Sequence, residues 1–501
     1  MVGKVYSAAI FGVYAELVEI EADVSAGIPC YELTGNLGGT TKEAKERVRL
    51  ALKNSNLRMN PSKITINLSP ANIRKEGPHF DLGIAIAVLK ASGHIRTDAG
   101  EGVFYAGELG LDGSVNPVKA VLPMVLCAKD KGFTACVVPK SNEQEAMIVS
   151  GIKIIGVDSL HQCLEYLNGE YEPVSVRAGL DMRNTEYGVD FSEIRGQYMA
   201  KRAALIAAAS MHNLLMIGPP GAGKSMIAAR IPTILPELSF EEAMEITRIY
   251  SVAGLVDEGR YGINERPFRS PEHTITASAM AGGGYNPIPG EMSLAHKGVL
   301  FLDELNMFHG NVIEAMRKPL ETGRVVVNRL HGTYDYPADF MLVGAMNPCK
   351  CGYYPDRSRC TCTQNEVNAY FGKLSKPLLD RIDICVQVTK SSYEDINNEE
   401  TTVITSAMMR EKVEMAYNIQ KERYHKCDFS LNSAIPSKYI KKYCEMTKDA
   451  SLLLKSAYDR YDMSARSYFR TIKVARTIAD IEASGLIEEN HISEALGYKL
   501  V

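Results

Sequence analysis

The sequence HNLLMIGPPGAGKS occupies residues 212–225 and joins a short apolar run to a glycine-rich loop. The apolar run, residues 214–217, is typical of a strand that is buried on both faces of a parallel sheet. The loop, residues 218–225, fits the pattern G-x-x-x-x-G-K-[ST], whose backbone N–H groups surround phosphate oxygens at the start of a helix. A chance Gly-Lys-Ser in an ordinary turn is the alternative. The strand pattern before the loop and the helical pattern after it favour a nucleoside triphosphate site.

The same loop supplies the predicted cofactor ligands. The Lys224 ammonium would reach the β- and γ-phosphates, and the Ser225 hydroxyl would hold Mg²⁺. The glycines would let the backbone turn tightly enough for its N–H groups to point at phosphate oxygens. The residues that we predict to bind nucleotide here are Gly218, Pro219, Pro220, Gly221, Ala222, Gly223, Lys224, Ser225 and Met226.

Two later apolar runs end in polar residues that suit triphosphate hydrolysis. Residues 298–302 lead into Asp303 and Glu304, and residues 340–345 lead towards Asn347. Because parallel strands bring their carboxyl ends to one edge of a sheet, these side chains should meet the loop. We predict that Asp303 holds Mg²⁺ through water, that Glu304 is the general base, and that Asn347 orients the attacking water. An Asp-Glu pair alone is common on protein surfaces, so the prediction depends on the strand before it.

The segment SKPLLDRID, residues 375–383, places Arg381 between acidic residues and ahead of another apolar run. This position suits an arginine finger, which stabilises charge on the γ-phosphate of a neighbouring subunit and contributes about 10³–10⁵ in rate. A surface arginine held by salt bridges is the alternative. A finger supplied by the next subunit would require assembly into a ring.

Four of the eleven cysteines form two C-x-C pairs separated by eight residues. They are Cys349, Cys351, Cys360 and Cys362. Four thiolates suit tetrahedral Zn²⁺, which would brace the loop after Asn347 rather than perform chemistry. A redox-labile loop and unligated thiols are the alternatives.

The composition is that of a soluble globular protein with about three domains. The chain has 501 residues, of which 46% are hydrophobic and 23% are charged, and its net charge is −4. Any contact with nucleic acid must therefore come from a local groove or pore. No apolar run approaches the roughly 20 residues that cross a bilayer, and the N-terminus turns acidic too early for a signal peptide. Together with the scattered cysteines, this predicts a cytoplasmic protein without a membrane partner.

Residues 1–172 alternate strands and helices in an order that resembles the Lon protease-like domain. The motifs that carry this resemblance are Glu76-Gly77-Pro78, DLGIA at residues 81–85 and GELGLDGSV at residues 107–115. Lon proteases use a serine–lysine dyad, but the matching positions fall near Asp81 and Leu122, and the nearby Lys119 has no serine to activate. The resemblance therefore implies a non-proteolytic cover or docking domain. An unrelated α/β domain is the alternative.

A more specific resemblance covers nearly the whole chain. The sequences AGGGYNPIPGEMSLAHKGVLFLDEL (281–305), AMNPCKCGYY (345–354) and LLDRID (378–383) resemble the magnesium-chelatase-like AAA+ ATPases of the ComM and YifB family. This resemblance implies ATP and Mg²⁺ as cofactors. It also implies a homohexameric ring that drives ATP-dependent branch migration of DNA, single-stranded or branched, during natural transformation.

The predicted fold class is accordingly α/β, with four segments. They are a Lon protease-like α+β domain at 1–172, a linker at 173–189, an AAA+ P-loop α/β core at 190–395 and an α-helical lid at 396–501. In ring ATPases the segment that contains Ile194 and Gly196 lies over the adenine. Arg466 matches the second sensor arginine, which would act on the γ-phosphate of its own chain, with Arg470 as the other candidate. A basic amphipathic helix face is the alternative for Arg466.

Two inserted segments indicate where the motor would contact DNA. Residues 250–292 contain Gly-Gly-Gly and two prolines, and the resemblance implies that they project into the ring. Residues 324–333 have the pattern of a hairpin with Arg329 and His331 near its tip. We predict phosphate contacts by Arg329 and by Lys297, which would be independent of base sequence and sensitive to salt. An ordinary surface hairpin is the alternative.

Three other functions stay open on the sequence alone. A chelatase motor subunit would need a partner that carries the porphyrin, and the Lon-like domain is not part of the usual chelatase motor. A protein remodeller or regulatory protease fits the Lon-like domain but lacks the dyad. A nucleotide-gated scaffold would hydrolyse ATP without displacing any strand. Stimulation of ATP hydrolysis by branched DNA would favour the DNA motor.

Overall fold

The computed structural model of the chain describes residues 2–57, 59–172, 187–257, 261–329, 332–390 and 403–499. Residues 173–186 of the predicted linker, and His331 of the predicted hairpin, lie outside the described residues. Every helix within the described ranges is too short or too polar to cross a lipid bilayer.

A mixed sheet forms the centre of the N-terminal part. The strands of this part are β1 (Val2–Phe11), β2 (Tyr14–Ser25), β3 (Cys30–Thr34), β4 (Lys63–Ser69), β5 (Val103–Tyr105), β6 (Glu108–Leu109), β7 (Val115–Asn116), β8 (Ala135–Pro139) and β9 (Lys153–Val157). Its helices are α1 (Gly39–Asn54), α2 (Asp81–Ala91), α3 (Val121–Asp130), α4 (Glu143–Ala146) and α5 (Leu160–Asn168). Within the described residues the sheet order is β3-β4-β2-β1-β5-β8-β9. β1 and β2 pair antiparallel along the length of β1.

Helix α2 packs directly against this sheet and is buried along its whole length. This agrees with a sequence that is apolar nearly all round, because such a helix has no face suited to water. The approach to β1 is close, since a Cβ on Gly3 would lie 2.2 Å from the carbonyl oxygen of Ala87. Only glycine fits at that position without a backbone shift.

A parallel sheet forms the centre of the next part and carries the glycine-rich loop. The strands of this part are β10 (Leu214–Ile217), β11 (Phe268–Arg269), β12 (Gly282–Gly283), β13 (Ile288–Pro289), β14 (Val299–Leu302), β15 (Arg324–Arg329), β16 (Gly332–Pro337), β17 (Met341–Met346) and β18 (Ile384–Gln387). In the described ranges the large sheet has the order β11-β14-β17-β10-β18, and all its neighbouring strands are parallel. The prediction of an α/β fold with a parallel sheet is confirmed, and the carboxyl ends of these strands share one edge.

Helices cover this sheet and form the C-terminal part. Around the sheet lie α6 (Tyr198–Ser210), α7 (Lys224–Arg230), α8 (Phe240–Ala253), α9 (Ala277–Ala281), α10 (Glu291–Leu294), α11 (Gly310–Met316), α12 (Pro319–Thr322), α13 (Gln364–Phe371) and α14 (Lys376–Leu379). The C-terminal part contains α15 (Ser406–Arg423), α16 (Ile440–Tyr443), α17 (Lys448–Arg460), α18 (Ala465–Ile481) and α19 (Glu489–Gly497). Short 3₁₀ turns occupy Lys140–Asn142, Phe191–Glu193, Ile231–Ile234, Leu305–Met307, Asn432–Ala434 and Ser437–Tyr439. The alanine-rich α6 packs against both α15 and α18, which joins the C-terminal helices to the core of the sheet.

The prediction of one projecting insertion at residues 250–292 is wrong in two places. Helix α8 continues into the start of this range, and β11 lies in its middle as an edge strand of the parallel sheet, paired with β14. The glycine-rich residues instead form the small hairpin β12–β13. A two-residue strand gives no recognisable apolar run, so the sequence pattern did not reveal β11.

Three segments that are distant in sequence meet around the hairpin β15–β16. The Nε of Arg329 donates to the carbonyl oxygen of Gly284, at 3.1 Å, which joins the two hairpins. The ring of Tyr334 stacks on that of Phe11, at the end of β1, with the ring centroids 4.7 Å apart. The N-terminal part therefore contacts the hairpin from which we predict DNA contacts.

Candidate nucleotide site

Strand β10 brings the glycine-rich loop to the carboxyl edge of the parallel sheet. All four residues of β10 are buried, and α7 begins at Lys224. Gly221 and Gly223 have φ angles of 72° and 86°. This left-handed conformation is readily accessible to glycine and costly for other residues. The two glycines therefore allow the tight turn from strand into helix.

The ammonium group of Lys224 lies within the loop. Its Nζ donates to the carbonyl oxygens of Gly218 at 2.7 Å and Pro219 at 3.0 Å, and to Oδ1 of Asn347 at 3.1 Å. Burial lowers the pKa of Lys224, and the acidic residues that follow β14 partly oppose this effect. The structure thus brings Lys224 together with Asn347, which follows β17.

Asp303 and Glu304 follow β14 at the same edge. The hydroxyl of Ser225 donates to Oδ2 of Asp303 at 2.7 Å, and the backbone N–H of Glu304 donates to Oδ1 of Asp303 at 2.9 Å. Glu304 has a φ of 50°. This conformation is uncommon for residues other than glycine, and where it occurs it is often found at functional sites. Oxygen atoms are the ligands that Mg²⁺ prefers, so Ser225 and Asp303 together offer a place for it.

These side chains line one cavity of about 770 Å³. Its walls are residues 220–226 of the loop and α7, the residues that follow β14 and β17, and residues 270–273. A volume in this range is typical of cofactor pockets. Apart from Gly218 and Pro219, which are not among the wall residues, the predicted phosphate, Mg²⁺ and water-orienting residues therefore face a common space.

Residues 270–273 are the part of this wall that sequence reasoning missed. They read Ser-Pro-Glu-His and follow β11, so they reach the carboxyl edge for the same reason as Asp303. Glu272 and His273 add an acid and an imidazole to the cavity. The sequence offers one sign of their position, which is that they are a run of polar residues after a strand. Because β11 has only two residues, the sequence pattern does not identify it as a strand.

The predicted adenine contacts lie beside the loop rather than in the cavity wall. The Ile194 side chain is only 7% exposed and packs into the core under α6. Gly196 has a φ of 65°, and the neighbouring Gln197 donates from Nε2 to the carbonyl oxygen of Ala222 at 3.3 Å. The segment is therefore attached to the loop, and its role in binding the base stays a prediction.

The predicted arginine finger, Arg381, and the predicted sensor arginine, Arg466, do not line this cavity. Nη2 of Arg381 lies 2.5 Å from Oε1 of Glu321, and Nη2 of Arg466 lies 2.8 Å from the same oxygen. Both arginines and Glu321 line a second cavity of about 670 Å³. Arg470, the other candidate, donates to the carbonyl oxygen of Ile382 at 2.6 Å and lines the same second cavity.

The four clustered cysteines converge as their spacing predicts. Their Sγ atoms all lie within 4.8 Å of one another. The Sγ of Cys349 is 3.3 Å from that of Cys351 and 3.8 Å from that of Cys360. Four thiolates at the Zn–S distance of about 2.3 Å form a tetrahedron with sulfur atoms about 3.8 Å apart. The arrangement is thus close to that of a tetrahedral metal site completed by Cys362.

The predicted DNA contacts differ in their surroundings. Arg329 is exposed near the tip of β15–β16, where its guanidinium contacts only backbone carbonyls among the hydrogen bonds of the described residues. Lys297 precedes β14, at the amino edge of the sheet, and its Nζ lies 2.8 Å from Oδ2 of Asp339. Because Asp339 already neutralises Lys297, Arg329 is the stronger candidate for a phosphate contact.

The positions that match the Lon dyad carry structural contacts. Arg47 donates to both carboxylate oxygens of Asp81, at 2.6 and 3.0 Å, and the N–H of Leu109 donates to Asp81 at 3.3 Å. Burial raises the pKa of Asp81 to about 6, although Arg47 opposes this. Leu122 is fully buried in the core. Neither position carries the serine or the lysine of the dyad.

Sequence profiles of three families match the chain. The one described as magnesium chelatase, subunit ChlI, matches residues 190–396. Those described as subunit ChlI of Mg-chelatase and as magnesium chelatase, subunit ChlI C-terminal, match residues 20–142 and 404–499. Taken in chain order, the matches cover part of the N-terminal sheet, then the parallel sheet, and then the C-terminal helices.

Individual proteins are similar along different lengths of the chain. The competence protein ComM of Haemophilus influenzae is 39% identical over 504 residues, which cover 99% of this chain and 97% of that protein. The YifB protein of Escherichia coli is 36% identical over 497 residues, with 99% and 97% covered. The magnesium-chelatase 67 kDa subunit of Chlorobaculum parvum is 26% identical over 205 residues, 40% of this chain and 27% of that protein. The similarity to ComM and YifB therefore includes every part of the described structure.

Proposed function

This chain belongs to the ComM and YifB family of magnesium-chelatase-related proteins, and we propose that it is a Mg²⁺-dependent AAA+ ATPase that moves along DNA. The observation that carries the proposal is a pair of contacts at one edge of the parallel sheet. Lys224 meets Asn347 there, and Ser225 meets Asp303. Residues from three strand ends thus supply a phosphate ligand, Mg²⁺ ligands and a polar group for water.

In this proposal each residue has one task in hydrolysis. Lys224 would bind the β- and γ-phosphates, and Ser225 and Asp303 would hold Mg²⁺, which neutralises phosphate charge. Glu304 would accept the proton of the attacking water, and Asn347 would orient that water.

The loop residues 218–223 would supply backbone N–H groups to the phosphates. Ile194 and Gly196 would contact the adenine, since Gln197 fastens their segment to the loop.

The positions of the predicted finger and of the predicted sensor arginine favour a ring. Arg381 and Arg466 lie together at Glu321 and not in the cavity of their own chain. We therefore propose that both act on the γ-phosphate bound by a neighbouring copy, so that Arg466 changes from the own-chain role that the sequence suggested. A homohexamer is the ring that the family resemblance implies.

We propose the same domain boundaries that the sequence predicts. The N-terminal mixed sheet would be a non-proteolytic Lon protease-like domain at residues 1–172, joined by a linker at 173–189 to an AAA+ core at 190–395. The C-terminal helices would form a lid at 396–501. The pairing of Asp81 with Arg47 supports the absence of proteolysis, because the carboxylate is held in an ion pair at the position of the nucleophile.

Similarity along the whole chain favours a DNA motor over the other candidates. ComM is named as a competence protein, and the chain matches it over 99% of its length, whereas the chelatase subunit matches over 40%. We propose that the motor drives branch migration during natural transformation, in the cytoplasm.

Branch migration predicts a specific result with a synthetic four-way junction. The wild-type protein, with ATP and Mg²⁺, is expected to convert a labelled junction into its two duplex products, and branched DNA is expected to stimulate ATP hydrolysis. Gel separation of junction and products gives the extent of conversion, and phosphate release gives the rate of hydrolysis.

Two variants test the predicted DNA contact, and an unfolded protein tests the alternative function. Arg329→Ala is expected to weaken binding to junctions of unrelated sequence alike and to lower the salt dependence of binding, because a phosphate contact carries no sequence information. Lys63→Ala, which breaks an exposed ion pair with Glu32 in the N-terminal sheet, is the matched control. Hydrolysis that is unaffected by DNA but stimulated by an unfolded protein such as casein would instead support a protein remodeller.

We propose that the cysteine cluster binds a structural Zn²⁺ ion. Its loop lies beside the nucleotide loop, since a Cβ on Gly352 would lie 2.6 Å from Cδ of Pro220. Cys349 also follows Asn347 by two residues. A metal ion would therefore brace both the water-orienting residue and the phosphate-binding loop.

Removal of one ligand is expected to release this metal. Cys360→Ser should lower the zinc content of the purified protein from about one ion per chain to a small fraction of that, because three thiolates hold Zn²⁺ less tightly than four. Elemental analysis after purification without chelators measures the content. Cys30→Ser, outside the cluster, should retain it. An unchanged zinc content in Cys360→Ser, or none in the wild type, would contradict the site.

A further inference from the structure

Glu321 joins two arginines that come from different parts of the chain. Its Oε1 lies 2.5 Å from Nη2 of Arg381 and 2.8 Å from Nη2 of Arg466, which are 60 and 145 residues away in sequence. Glu321 is on α12, Arg381 follows α14, and Arg466 is in the first turn of α18. One carboxylate oxygen is therefore shared by two guanidinium groups from separate helices.

The three side chains are not equally exposed. Arg381 is only 8% exposed, whereas Arg466 and Glu321 are 48% and 46% exposed. Arg381 also donates from Nη1 to the carbonyl oxygen of Pro377, and its buried Nε has no hydrogen-bond partner among the described residues. Arg381 is thus fixed at the back of the cluster, and Arg466 and Glu321 form its open front.

Two guanidinium groups repel each other, so their proximity needs an anion between them. The carboxylate of Glu321 supplies that anion, and guanidinium groups bind phosphate oxygens with the same kind of charge-assisted hydrogen bond. The cluster retains one net positive charge after Glu321 is counted. It therefore has the chemistry to receive a phosphate group as a further ligand.

We propose that Glu321 is a positioning residue that holds Arg381 and Arg466 together as one phosphate-binding pair, presented to the nucleotide cavity of a second copy of this chain. The proposal rests on the ring arrangement described above. It adds that neither arginine is positioned independently, because both depend on the same oxygen atom. Removal of the negative charge would separate the two guanidinium groups by repulsion.

The test is Glu321→Gln, which keeps the shape of the side chain and removes its charge. The kcat of ATP hydrolysis is expected to fall by about 10²-fold, the cost of a small misplacement of catalytic groups. The KM for ATP should change much less than kcat, because the arginine pair would act on charge that develops in the transition state rather than on the bound triphosphate. Glu314→Gln, which alters an exposed acid paired with Arg317 and leaves Arg381 and Arg466 untouched, is the matched control.

A double variant distinguishes positioning from a general structural role. If Glu321 acts through the arginine pair, then Glu321→Gln should cause a smaller loss in a chain that already carries Arg381→Ala than in the wild type, because only Arg466 is left for Glu321 to position and contributions to one shared contact are not additive. Glu321→Asp keeps the charge and should recover part of the rate. Melting temperatures of the single variants should match that of Glu314→Gln.

The outcomes separate this inference from the proposed function. Wild-type turnover by Glu321→Gln would overturn the positioning role, and so would a full additional loss in the double variant. If Arg381→Ala is itself inactive, either result would still leave the arginine finger intact. Wild-type turnover by Arg381→Ala would overturn the finger, and the positioning role with it.

Discussion

Turnover of ATP is expected to fall by about 10²–10⁴-fold in Glu304→Gln, the range that general-base catalysis contributes. Glutamine has the shape of glutamate but cannot accept the proton of the attacking water. ATP binding should be unchanged, because the phosphates and Mg²⁺ are assigned to Lys224, Ser225 and Asp303. The strained backbone of Glu304, with a φ of 50°, supports this assignment, since such strain clusters at functional positions.

Measurement of binding and turnover in the same preparation makes this prediction specific. A fluorescent ATP analogue gives the dissociation constant, and phosphate release gives kcat. Glu272→Gln is the matched control, because Glu272 lines the same cavity from the end of β11 but has no predicted role as base. A large loss in Glu272→Gln with normal turnover by Glu304→Gln would move the general base to residue 272.

The arrangement around Lys224 could be predicted from sequence because it depends on one geometric rule. The predicted strand at residues 214–217 is the observed β10. The one at 298–302 begins one residue before β14, and the one at 340–345 begins and ends one residue before β17. Once the strands are parallel, their carboxyl ends must share an edge. The residues that follow them then meet without any further information.

Other parts of the site could not be predicted from the sequence by this rule. β11 is two residues long, so residues 270–273 were assigned to an insertion although they line the nucleotide cavity. The shared contact of Glu321 with Arg381 and Arg466 joins helices far apart in sequence, and no local pattern encodes it. The cysteine cluster differs from both, because all four cysteines lie in one loop. Their spacing in the sequence was therefore sufficient to predict that the thiols converge.

Arg381→Ala is expected to lower the rate of ATP hydrolysis by about 10³–10⁵-fold, which is the contribution of an arginine finger. The guanidinium would stabilise the charge that develops on the γ-phosphate of the neighbouring copy, and alanine leaves that charge uncompensated. ATP binding should be retained, because Arg381 would act on charge that develops in the transition state, whereas Lys224 and the loop bind the triphosphate. Phosphate release at several protein concentrations measures the loss, and the wild-type rate per subunit should rise as the ring assembles.

A mixture of two inactive variants tests whether the finger acts between subunits. Lys224→Ala removes the phosphate ligand but leaves Arg381 in place, so it can supply a finger to the intact cavity of an Arg381→Ala subunit. The mixture should therefore hydrolyse ATP faster than either variant alone. Arg317→Ala, which removes a nearby arginine paired with Glu314, should keep the wild-type rate. If the mixture recovers no activity, or if Arg381→Ala turns over normally as a monomer, the cavity is complete within one chain and the ring is not needed for hydrolysis.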